Sequence, residues 1–137
     1  MPFDTPDGPA LRGMSIVVVD DNLDARVIFS SVLRQAGGLV AAAGTAMGAA
    51  RRLRHLRPDV VITDLSMPRH DGLWLLRTIR ERDAMPRSHT PVIAVTARDD
   101  LYEIDRLGFD RCFVKPVPWG DLVRAIRSVT TPHAASA

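Results

Sequence analysis

The stretch that decides the fold is Ser15-Ile16-Val17-Val18-Val19-Asp20-Asp21-Asn22 (SIVVVDDN). An unbroken β-branched run that ends in carboxylates describes a short strand covered on both faces, with chemistry at its carboxyl end. The period then changes. Leu23–Ala36 carries Ala25, Ile28, Phe29, Val32 and Ala36 at helical spacing and meets a stop signal at Gly37-Gly38. The same alternation continues along the chain. Leu39–Ala43, Asp59–Asp64, Pro91–Thr96 and Arg111–Val114 read as strands, and Thr45–Leu56, Gly72–Arg82, Ala97–Leu107 and Trp119–Val129 read as helices. Strand followed by helix, five times over, predicts one α/β domain: a doubly wound five-stranded parallel sheet with five helices.

The flanks carry no such pattern. Met1–Gly13 holds three prolines and two aspartates and reads as a flexible leader; residues 131–137 read as a flexible tail. The domain is therefore expected over residues 14–130, and Met14 could serve as the start as well as Met1. A chain of 137 residues, 46% hydrophobic and 25% charged, has the material for a core and is not a disordered segment. No apolar run is long enough for a bilayer, so no membrane role is expected. A single cysteine, Cys112, excludes an intramolecular disulfide and a cysteine-pair metal site, and fits a cytoplasmic protein. The net charge of +2 makes no case for a nucleic-acid partner. Arg51, Arg52, Arg54, His55 and Arg57 alternate with Leu53 and Leu56, as on the solvated side of an amphipathic helix. His70 and His89 fall in loops without ligand partners, so neither is assigned a metal.

Ligands of open parallel sheets sit outside the carboxyl ends of the strands. Here those ends carry Asp20-Asp21, Asp64, Thr96 and Lys115-Pro116. Three carboxylates in one place repel one another unless a cation joins them, and hard oxygen ligands suit Mg²⁺. A metal alone needs neither a hydroxyl nor an ammonium. A phosphoryl group on a carboxylate uses both. The cation usage agrees: the chain holds seventeen arginines and one lysine, and that lysine is Lys115. A compact charge on a flexible stem does what a planar guanidinium cannot.

VVVDDN (Val17–Asn22), DVVITDLSMPRHDG (Asp59–Gly72), VTA (Val95–Ala97) and VKP (Val114–Pro116) together resemble the receiver domain of two-component response regulators, a flavodoxin-like fold. The resemblance covers roughly Ser15 to Val129 and is that of a single-domain receiver. It implies that Asp64 accepts a phosphoryl group from a histidine kinase or a histidine phosphotransfer protein. It further implies that Asp20, Asp21, Asp64 and the backbone carbonyl of Ser66 hold Mg²⁺, Asp20 largely through a water. Thr96 and Lys115 would contact the phosphoryl oxygens, and Pro116 would follow a cis peptide bond. Such a protein is a signalling phosphoacceptor rather than an enzyme acting on outside substrates, and it reports to an unknown downstream protein by contact.

Two features depart from the family pattern. Cys112 stands where receivers usually carry the Tyr or Phe that moves on activation, and Phe113 points to the other face of its strand. Thr96 and Lys115 are 19 positions apart (115 − 96), about one helical turn short of the usual span. They motivate a second reading, a constitutive protein-interaction module with a decayed switch. A small Mg²⁺-dependent phosphatase is the third, but Asp64-Leu65-Ser66 lacks the second aspartate of an Asp-x-Asp pair. Trp74 and Trp119 fall where receivers usually expose polar residues, either as partner contacts or partly buried against their own helices.

Overall fold

The computed structural model describes residues 2–84, 89–97 and 104–130. Its main sheet has five parallel strands: β3 (Ser15–Val19), β4 (Leu39–Ala43), β5 (Val60–Asp64), β6 (Val92–Thr96) and β7 (Arg111–Val114), in the order β4-β3-β5-β6-β7. Among the described residues four α-helices cover it: α1 (Leu23–Gln35), α2 (Ala46–Leu53), α3 (Gly72–Arg82) and α4 (Trp119–Thr130). The helix expected over Ala97–Leu107 lies mostly outside the described residues; its end is a 3₁₀ turn, Asp105–Leu107. The expected tail lies outside them too.

Alternating side chains divide the core in two, as the pleat requires. Val17, Val19, Val61, Val92 and Ala94 face α2 and α3, whereas Ile16, Val18, Ile62, Ile93 and Val95 face α1 and α4. Each strand is thus apolar on both sides, which is why the strand segments read as continuous runs. Helix starts follow local capping: Asn22, Thr45 and Asp71 each accept a hydrogen bond from the amide three residues on. At the amino edge of the sheet, the Asp110 carboxylate accepts from the Val92 amide at 2.8 Å and from Arg80 of α3 at 3.1 Å. His89 meets its other oxygen at 2.9 Å. The arginines of α2 are exposed, as the amphipathic pattern predicts.

The leader corrects the sequence reading. Asp4–Thr5 (β1) pairs antiparallel with Gly8–Pro9 (β2), and the chain then inserts Leu11 beneath α1, with no exposed surface. The Leu11 amide donates to the Ala36 carbonyl at 2.7 Å and the Gly13 amide to that of Gly37 at 3.2 Å. Gly37 makes this approach possible: its φ is 101°, and a Cβ there would lie 2.8 Å from Pro9 Cβ and 3.0 Å from the Arg12 nitrogen. The stretch that reads as a floppy leader therefore contributes Leu11 to the core, with Phe3 and Ala10 packed against it. Leu11→Ala should cost about 2–5 kcal/mol, the usual loss for a buried leucine left as a cavity. Denaturant unfolding would check this: an unchanged midpoint would mean that the hairpin does not hold Leu11 in place.

Candidate functional site

The order β4-β3-β5 reverses direction at β3, and the crevice at that reversal holds the polar strand ends. Asp20 follows β3 and is 3% exposed; Asp64 closes β5 and is half-buried; Asp21 is exposed. One carboxylate oxygen from each of the three lies within 4.8 Å of the others. Thr96, fully buried, closes β6 one residue beyond Val95, the partner of Asp64 in the sheet. Lys115 leaves β7, and its amide donates to the Thr96 carbonyl at 2.7 Å. Its peptide bond to Pro116 is cis.

The Lys115 ammonium bridges the cluster, donating to Asp20 Oδ2 at 2.9 Å and to Asp64 Oδ2 at 3.2 Å. The other oxygens of these carboxylates are also engaged. Asp20 Oδ1 accepts from the Asn22 amide at 2.9 Å, and Asp64 Oδ1 accepts from the Ser66 amide at 3.1 Å. Burial pushes the Asp64 carboxyl above its ordinary value, and the Asp20 charge adds to this; the Ser66 amide and the Lys115 ammonium oppose it. Burial alone lowers Lys115. The hydrogen bond to Asp20 and the charges of Asp64 and Asp20 outweigh that and hold it above the usual lysine value, so it stays cationic.

The structure thus brings Asp20, Asp21, Asp64 and Lys115 together and puts Thr96 on the adjoining strand end. Two supporting contacts escaped the sequence reading. The Arg26 guanidinium donates to the Asp20 backbone carbonyl at 2.9 Å, fixing α1 against the end of β3. Gly72, expected only as the start of a helix, packs its backbone directly on Asp64 and Leu65. Neither had a signal beyond its residue type.

Residues 16–127 match the profile of the response regulator receiver domain. The chain belongs to that family. An uncharacterized 14.6 kDa protein of Leptolyngbya boryana is 34% identical to this receiver over 121 residues, covering 85% of this chain and 90% of that protein. A probable histidine kinase of Oryza sativa subsp. indica is 32% identical over 142 residues, covering 91% of this chain; the receiver spans 14% of the kinase's length. Among solved structures, the receiver domain of a sensor histidine kinase from Pseudomonas aeruginosa PAO1 superposes with a TM-score of 0.77 at 26% identity. The match covers 88% of this chain and 99% of that one. That structure has a magnesium ion coordinated in its active site cleft. No helix among the described residues of this receiver is long and apolar enough to cross a membrane.

Of the two departures from the family pattern, the one at Cys112 falls on described residues. Cys112 is partly buried and packs toward α2 and α3, while Phe113 packs on the opposite side with α1 and α4, so Phe113 does not supply a ring on the Cys112 face. The shortened segment after Thr96 lies largely outside the described residues. Both tryptophans are partly buried rather than free anchors. Trp119 meets Phe29 edge-on at 4.9 Å, and Trp74 stacks on His70 at 4.2 Å.

Proposed function

We propose that this receiver takes a phosphoryl group onto Asp64 from the phosphohistidine of a histidine kinase or histidine phosphotransfer protein, and signals by contact with a downstream protein. The observation that carries this reading is the Lys115 ammonium held on Asp64 and Asp20, with the Asp21 carboxylate beside them. Three carboxylate oxygens within 4.8 Å are a hard donor set, and Asp20, Asp21 and Asp64 with the Ser66 carbonyl would hold Mg²⁺. Once bound, the ion supplies positive charge to the transferring phosphoryl oxygens.

A carboxylate oxygen of Asp64 forms the new bond to phosphorus as the P–N bond to the donor breaks, and the imidazole leaves with the electron pair. Lys115 is already within hydrogen-bond reach of the nucleophile and needs only a side-chain movement to pair with a phosphoryl oxygen. Thr96 donates its hydroxyl to another. These groups supply position and charge, which is what phosphoryl transfer requires. Attack of water on the phosphorus regenerates the carboxylate and releases inorganic phosphate, so the mark is reversible. The cytoplasm, where kinases of this kind present their phosphohistidine, is the compartment this reading implies.

Cys112 favours a second reading, an interaction module that no longer switches. Intact mass after incubation with acetyl phosphate separates the two. One phosphoryl group gained with Mg²⁺ and none with a chelator is the expected result; no adduct under either condition would overturn it. Lys115→Arg should fold normally but take up the group at least tenfold more slowly, because the wider planar fork presents its donors at other points than the compact ammonium does. Time-resolved mass measurement reads this directly, and a wild-type rate would contradict it.

A further inference from the structure

A second pocket opens on the same edge of the sheet as Asp64, and its charge is opposite. It lies between the first turns of α2 and the loop leaving β5, encloses about 220 Å³, and is lined by Thr45, Gly48, Arg51, Pro68, Arg69 and His70 among others. Two arginines on separate elements and one histidine line it, and no aspartate or glutamate is among its lining residues. The start of α2 adds the positive end of a helix dipole to that wall.

The loop side is held in place. Arg69 has φ of 67°, a left-handed conformation that a residue with a Cβ adopts at a cost, closed by the His70 amide donating to the Pro68 carbonyl at 2.8 Å. His70 stacks on Trp74 with an interplanar angle of 21°, and the Trp74 amide donates to Asp71 at 2.9 Å, so α3 braces the loop. Arg69 therefore takes a backbone conformation that glycine fits best, and it lines a cavity that Arg51 lines from α2.

We propose that this pocket binds a small phosphate-bearing anion. Arginine matches phosphate with a fork of parallel donors, and two such forks with an imidazole provide for a dianion. The volume limits the ligand: sites for drug-sized molecules begin near 300 Å³, so this one takes a phosphate group with a small substituent, not a nucleotide. It is separate from the Asp64 cluster, whose carboxylates repel anions when no cation is present.

The test is titration of the ¹⁵N-labelled full chain with inorganic phosphate and, separately, with glycerol 3-phosphate, in magnesium-free buffer of low ionic strength. Saturable shifts centred on the amides of Gly48, Arg69 and His70 are expected. Tighter binding of the ester assigns the pocket to phosphate esters, and equal binding assigns it to phosphate itself. Arg51→Ala should weaken binding at least tenfold. Arg69→Gly should do the same while keeping or raising thermal stability, because glycine accepts the left-handed turn without strain. The absence of saturable shifts with either anion, shifts centred on Asn22 and Ser66 instead, or wild-type binding by both variants would overturn the proposal.

Discussion

Asp64→Asn is expected to abolish phosphoryl acceptance outright and, at neutral pH, to raise the melting temperature of the unphosphorylated chain. The first effect follows from chemistry, since a neutral amide does not provide the attacking oxygen that Asp64 supplies. The second follows from burial. The Asp64 carboxyl is pushed above its ordinary value of 3.8, chiefly by desolvation, so the native state holds that proton more tightly than the unfolded chain does. A group raised in this way contributes stability fully below the unfolded value and loses it as pH climbs through the folded value. At neutral pH the ionised Asp64 therefore opposes folding, and asparagine removes that opposition. Lys115 keeps its shorter bond, to Asp20 at 2.9 Å. The stability advantage of the variant should shrink as pH falls and vanish in acid, where the wild-type carboxyl is protonated. Thermal melts in chelator across this range, with mass measurement after acetyl phosphate, check both halves. A variant that still gains the group, or that is less stable at neutral pH, contradicts the account.

Gly72→Ala should damage both fold and site. A Cβ at Gly72 would lie 2.4 Å from the Asp64 backbone oxygen and 3.0 Å from Leu65 Cα. The Gly72 amide also donates to the Leu65 carbonyl at 3.0 Å, so the end of β5 and the start of α3 touch backbone to backbone. An added methyl must push Asp64 away. Forced overpacking of this kind costs about 1–3 kcal/mol, and a reacting group moved by roughly an ångström can lose about a hundredfold in rate. Melting temperature and the rate of phosphoryl gain measure the two effects separately. A wild-type rate in the folded variant would show that the contact does not position Asp64.

The parallel sheet was legible because its strands are buried on both faces. SIVVVD and DVVITD leave no alternating pattern to confuse with an exposed hairpin, and each ends in the polar residue that the fold carries to the crevice. Lys115 stood out by composition, and the structure places it on the two carboxylates that give its isolation meaning. The leader was misread because its prolines, glycines and aspartates match loop composition. Pro6-Asp7-Gly8 between Phe3 and Ala10-Leu11 is nevertheless a turn signal between apolar residues. What composition could not convey is that Leu11 fills space under α1, a tertiary fact without a local pattern. Backbone contacts such as that of Gly72 on Asp64 are likewise invisible to periodicity, because a glycine required by a neighbour looks like one required by a turn.

The two tryptophans, the only ones in the chain, pack on opposite faces of the sheet. Trp74 is stacked on the ring of a loop that begins at Asp64, and Trp119 meets Phe29 three residues beyond Pro116. Indole emission depends on the rings and charges around it, so each side of the molecule carries its own optical reporter. In Trp119→Phe the remaining emission follows the loop after β5; in Trp74→Phe it follows the turn after Lys115. If Asp64 takes up a phosphoryl group as proposed, a change in either emission on adding acetyl phosphate would report it in real time, without a label and without a partner protein.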